Sequence, residues 1–195
     1  KYMQVRTKRI GSLFRHKLMT TTKNRTLVLG IGNTLLTDEG AGIRAMEHMQ
    51  AICNDEFGSY VPEITFIDGG TLSFTLATYI EDHDELIVFD AARLNKPAGT
   101  VECFVGAQMD EFLGRSKHSA HEVGLLDLMD IARLTGHLPE SRALIAIQPD
   151  IMTWGMQPSP AVQPSLAPAA RHAIDILENW REVLRDKISL DDTAV

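Results

Sequence analysis

Leu27-Val28-Leu29-Gly30-Ile31-Gly32-Asn33-Thr34-Leu35-Leu36-Thr37-Asp38-Glu39-Gly40-Ala41-Gly42 carries the strongest architectural signal in this 195-residue chain. The apolar run from Thr26 to Leu29 predicts a buried strand. Gly30 and Gly32 permit a tight turn that a β-carbon would obstruct. Asp38 and Glu39 stand where a helix should start, and Ile43, Met46, Met49 and Cys53 then recur at helical spacing. The order is strand, glycine turn, acidic pair, helix. In an open α/β sheet such a turn lies at the carboxyl end of a strand, where these folds bind ligands. Two carboxylates there suit a cation or a proton transfer and oppose a phosphate.

Working outward, residues 63–67 alternate and predict a second strand, closed by Asp68-Gly69-Gly70-Thr71. Leu72, Phe74, Leu76, Tyr79 and Ile80 predict a helix to Glu81. Residues 85–89 form an unbroken apolar strand of the buried parallel kind, stopping on Asp90. Residues 100–105 follow too soon for a helical crossover, so they predict a strand antiparallel to and paired with its predecessor at the sheet edge. Residues 108–117 read as irregular or a short helix. Ser119-Ala120-His121-Glu122 fits a capping box for a helix that ends at Gly136. Residues 142–147 give the last strand. Four prolines between 158 and 168 mark a loop, and a final helix carries Ala173, Ile176, Leu177, Trp180 and Leu184. This βαβαββαβα order predicts a three-layer α/β/α sandwich around a five-stranded, mostly parallel twisted sheet with one antiparallel strand.

Hydrophobic content of 44% and charged content of 23% are ordinary for a soluble globular protein. No apolar run approaches a membrane span of about 20 residues, so no membrane partner is expected. Residues 1–17 hold six of the 19 Lys+Arg and no acid. The other thirteen face all 26 acids, a balance of −13, which argues against nucleic acid and favours a cationic partner surface. Residues 1–24 read as a basic leader outside the fold, added or translated upstream of a natural start at Met19. Residues 25–186 form the single domain, and 187–195 a frayed acidic tail. Cys53 and Cys103 are too far apart for a metal knuckle and read as buried free thiols in a reducing cytoplasm.

Three strands end in acids: Asp38 and Glu39 beyond the first, Asp68 after the second, Asp90 after the third. If the strands are parallel, these acids share one edge of the sheet. His121 would arrive there in the first turn of its helix, where the dipole disfavours imidazolium and leaves a nitrogen free to ligate. Glu39, Asp90 and His121 make an oxygen, oxygen, nitrogen set for a divalent transition metal with positions left open. Plainer readings stand beside these. Asp38 could only cap, Glu39 only complement a dipole, Asp68 only hold a turn, and His121 only face solvent. Asp90 has no such local excuse. A dinucleotide fold fails because Leu35 occupies the third glycine position and acids stand where pyrophosphate would sit. A paired-aspartate protease would need two carboxyls about 3 Å apart and leaves His121 unused.

Gly30-Ile-Gly32-Asn33-x-Leu35-x-x-Asp38-Glu39-Gly40-x-Gly42, then Asp68-Gly69-Gly70-Thr71, Asp90-Ala91 and His121, resemble the HybD-like [NiFe]-hydrogenase maturation endopeptidases over residues 25–180. The resemblance implies a peptidase that removes the C-terminal peptide of a hydrogenase large subunit after nickel insertion, and the free enzyme is expected to be a monomer. It implies Glu39, Asp90 and His121 as contacts to substrate-borne nickel, Asp68 as a further acid near the cleft, and no organic cofactor. A non-catalytic assembly factor docking on the nickel-loaded subunit would show the same ligand set.

Overall fold

The computed structural model describes residues 24–57, 63–115 and 124–191. Five strands, β1 (Thr26–Gly30), β2 (Ile64–Asp68), β3 (Glu85–Ala91), β4 (Val101–Val105) and β5 (Ser141–Ile147), form one sheet in the order β2-β1-β3-β5-β4. All neighbours pair in parallel except β4, which runs antiparallel to β5.

Alternation along the central strands builds two cores. Val28, Ile87, Phe89, Ile145 and Ile147 face α1 (Ala41–Phe57) and α5 (Leu166–Asp191). Leu27, Leu29, Leu86, Val88, Leu144 and Ala146 face α2 (Leu76–Glu81), α3 (Ala107–Arg115) and α4 (Leu125–Thr135). Burying both faces is why these strands read as unbroken apolar runs. Truncating any one of their leucines to alanine would cost about 2–5 kcal/mol. No helix among the described residues is long and apolar enough to cross a membrane.

The sandwich and its single antiparallel strand match the expectation, with five local differences. α5 runs on to Asp191, into the stretch expected to fray from 187. β4 is the edge strand, but its partner is β5. Both sides of β3 are already filled, by β1 and β5. The connection after β3 instead wraps the end of β5, with Ala92 donating to Ile147 and Gly99 to Gln148. The helix expected from Leu72 begins only at Leu76, because the Gly69-Gly70 turn leaves Leu72 at φ 69°. Cys53 is buried, whereas Cys103 on the edge strand is only half-buried; neither forms a disulfide.

The last difference concerns α4. It starts at Leu125, with extended Gly124 as its N-cap and the Asp127 carboxylate accepting the Gly124 N–H at 2.8 Å. Ser119 is therefore not its cap, and His121 lies upstream of its first turn. The dipole argument for a neutral His121 falls with that. His121 and His118 lie outside the described residues. The far end of α4 is as expected, with Gly136 at φ 79° as the stop.

Candidate active site

The chain enters β2 on one side of β1 and β3 on the other, so the crossovers diverge between the carboxyl ends of β1 and β3. That divergence opens a crevice, the usual ligand position in such sheets. Two glycines shape it. Gly32 has φ 134°, and a Cβ there would lie 1.8 Å from the Glu39 carbonyl oxygen. Gly42 lets the start of α1 close on the strand ends, where a Cβ would lie 2.4 Å from both the Ile31 and Phe89 carbonyl oxygens.

Between them, Thr37–Gly40 forms one 3-10 turn that sends adjacent acids in opposite directions. Asp38 points inward and is fully buried. Its Oδ2 accepts the N–H groups of Asp150 and Ile151 at 2.9 and 2.8 Å, and its Oδ1 that of Ser159 at 2.6 Å. Burial alone would push its carboxyl up. The hydrogen bonds from Ile151, Ser159 and Asp150 outweigh that and hold it below the usual carboxylate range. Asp38 is a structural clamp on the loop around 150–159, not a ligand.

Glu39 faces a cavity of about 630 Å³ whose lining also holds Asp90. Asp90 follows Phe89, which pairs with Gly30 at the end of β1. Burial pushes the Asp90 carboxyl up to about 7; the charge of Glu39 adds to this, and a hydrogen bond from the Ala91 N–H opposes it. Two acids thus share one poorly solvated space. The ionised pair is strained, and a cation would relieve the strain.

The raised Asp90 carboxyl has a measurable consequence. Between about pH 4 and 7 the folded protein holds a proton here that the unfolded chain has released. This group's contribution to stability is therefore greatest at low pH and declines as pH rises toward 7. Asp38 acts in the opposite sense, supporting the fold above its ordinary pKa and withdrawing support as pH falls below it. Asp90→Asn should raise the thermal midpoint by a few degrees at pH 8 and leave it unchanged near pH 4. Melting curves of the two proteins across that range check this, and an equal shift at both ends would refute it.

Asp68 does not reach the cavity lining. It is exposed, and its Oδ1 accepts the Gly70 N–H at 2.9 Å. That turn is stitched to β1 by Gly69 donating to Gly30 and Gly32 donating to Gly70, and it delivers Thr71 and Leu72 to the cavity. The residues flanking 116–123 border the same cavity: Leu113 on one side, Gly124 and Leu125 on the other. Among the described residues no group of three His, Cys, Asp or Glu side chains could hold a metal ion.

Arg93 and Met152 line the cavity although the sequence reading assigns neither a role in the site. Arg93 is the only cationic side chain among those described around the cavity, and Met152 reaches it from the loop after β5. Arg93 follows Asp90 by three residues, which was a usable signal. Nothing local marked Met152.

The family model for hydrogenase maturation proteases (HycI) matches residues 43–176. This chain belongs to the hydrogenase maturation protease family. It is 37% identical over 160 residues to the hydrogenase expression/formation protein HupD of Bradyrhizobium diazoefficiens, covering 80% of each chain. It is 30% identical over 154 residues to the hydrogenase 2 maturation protease of Escherichia coli, covering 78% of this chain and 90% of that one. Its fold superposes on the hydrogenase maturating endopeptidase HybD from E. coli with a TM-score of 0.68 at 30% identity, over 80% of this chain and 93% of HybD. The chain is thus a peptidase of the hydrogenase maturation type, and the expected family and enzyme class hold.

Proposed function

We propose that this peptidase removes the C-terminal peptide of a [NiFe]-hydrogenase large subunit once nickel has been inserted, and that it recognises the nickel the substrate carries. The family's cleavage of the large-subunit tail supports the reaction. The convergence of Glu39 and Asp90 on one cavity supports the recognition. His121 precedes Gly124, a lining residue, by three positions, a contour of about 10 Å, which makes it the third donor in this reading.

The nickel arrives as cargo, already held by the substrate's own ligands. Glu39 and Asp90 offer it oxygen donors and His121 a nitrogen. Asp90, protonated more readily than an ordinary carboxyl, gives up its proton when the cation takes its place. A subunit without metal leaves the two acids facing each other and offers them nothing to hold. With the subunit seated, the scissile peptide lies beside the metal and the acids, and it is opened either by a water that a carboxylate deprotonates or through a carbonyl that the nickel polarises. Asp68 contributes by fixing the turn that carries Thr71. The reaction takes place in the cytoplasm with the free enzyme as a monomer.

The test is incubation of the large-subunit precursor with and without nickel, followed by mass spectrometry of the intact subunit. Loss of the C-terminal peptide from the loaded form alone is the expected result. Equal cleavage of the metal-free form would refute recognition through nickel, and no cleavage of either would refute the reaction.

A further inference from the structure

The loop after β5 presents apolar side chains to solvent. Trp154 is 82% exposed and Met156 64%; Ile151 and Met152 are exposed as well. Leu35, also exposed, lies alongside, because Leu36 bridges Gly155 and the Gly155 N–H donates to the Leu35 carbonyl. These five make up half of the large apolar side chains exposed on the described surface, so they form a patch and not a scatter. Residues 151–157 carry no charge, in a protein whose body is strongly acidic.

A free loop with these side chains would fold them inward. This one is held open. Asp38 accepts from Asp150, Ile151 and Ser159, the Thr153 N–H donates to Thr37 Oγ1, and the Arg44 guanidinium donates to the Met156 carbonyl. An exposed tryptophan and methionines on a pre-ordered, uncharged surface match the core of a protein interface. Pre-ordering also removes much of the entropic cost of binding.

Met152 belongs both to this patch and to the cavity lining that holds Glu39 and Asp90. A protein seated on the patch therefore borders the reacting groups directly. We propose that Leu35, Ile151, Met152, Trp154 and Met156 are the docking surface for the folded body of the protein substrate, which they hold so that its chain terminus enters the cavity. The identity of that substrate as a hydrogenase large subunit rests on the function proposed above. A C-terminal tail alone is too flexible to be aimed by two carboxylates. A fixed apolar platform next to the cavity supplies the missing alignment.

The test uses the nickel-loaded large-subunit precursor of a [NiFe]-hydrogenase from the same organism as probe. The chain has two tryptophans. In a Trp180→Phe background Trp154 is this chain's only tryptophan, and with 5-fluorotryptophan incorporated there its fluorine resonance should shift as unlabelled precursor is titrated in. Trp154→Ala combined with Met156→Ser should weaken binding by about tenfold or more, with the loss of processing falling on KM. Both sites are exposed, and unchanged melting curves verify that the variant folds. Leu134→Ser, which removes an exposed apolar side chain near the far end of α4, should leave binding as it is.

An unshifted Trp154 resonance, an undiminished affinity in the double variant, or a loss confined to kcat would each overturn the docking surface. So would a dimer of this chain that Trp154→Ala dissociates while precursor affinity is retained. The two proposals fail separately. A precursor that shifts Trp154 but keeps its tail sinks the function alone. One that is cut but binds the double variant equally well sinks the docking surface alone.

Discussion

Gly32→Ala should lower the thermal midpoint by about 10 °C or more, or prevent folding. The added methyl group would sit 1.8 Å from the Glu39 carbonyl oxygen and 2.9 Å from its carbonyl carbon. Both are main-chain atoms, so no rotamer change relieves the overlap. Either the glycine turn or the 3-10 turn must move, and both border the cavity. The φ of 134° adds a conformational cost. Gly70→Ala is the matched comparison. Its φ is also positive, at 51°, but a Cβ there meets nothing within 4 Å. That variant should lose only about 1 kcal/mol, a few degrees of midpoint. Calorimetry of the two variants checks the contrast, and equal losses would show that close approach is not what requires glycine at position 32.

Glu39→Ala and Asp90→Ala should each reduce tail removal by about 10²- to 10⁴-fold while the protein still folds. Among the described residues the Glu39 side chain makes no hydrogen bond of the kind that Asp38 makes to the far loop; Asp90 is held in a setting that disfavours its own ionisation. Removing either charge relieves strain at the site, so activity and stability should part company. His121→Ala should lose processing likewise. The measurement is the rate of peptide release from the nickel-loaded precursor, with a melting curve for each variant. A folded Glu39→Ala or Asp90→Ala protein that cuts at the full rate would remove that residue from the site.

Much of this arrangement was legible in the chain itself, for physical reasons. Strands buried on both faces must be apolar throughout, so β1, β3 and β5 were plain. Parallel strands deliver their ends to one edge, so an acid at the end of a strand points to that edge, as Asp90, the penultimate residue of β3, shows. The turn at 38 and 39 was harder. Both residues are acids at a helix start, yet one is a clamp and the other faces the cavity. The difference lies in amides 112 to 121 residues further along the chain, which no local pattern reveals. Asp68 illustrates the reverse. Its Asp-Gly-Gly context already allowed a turn residue, and the structure shows it bonded to Gly70. The Ser119 capping box misplaces the start of α4 because Gly124, an N-cap with no side chain of its own, is held by the Asp127 carboxylate and leaves no such motif to read.

The clamp at Asp38 grips the far loop by its main chain: the amides of 150, 151 and 159, and through the neighbouring turn the amide of 153 and both backbone groups of Gly155. Every amino acid except proline offers such an amide. The outward tips at 152, 154 and 156 are thereby released from any duty to the scaffold. A relative could exchange those tips to suit a differently shaped client while its catalytic floor stayed untouched. Transplanting that short segment between two family members is then a practical way to redirect one maturation enzyme to the other's hydrogenase.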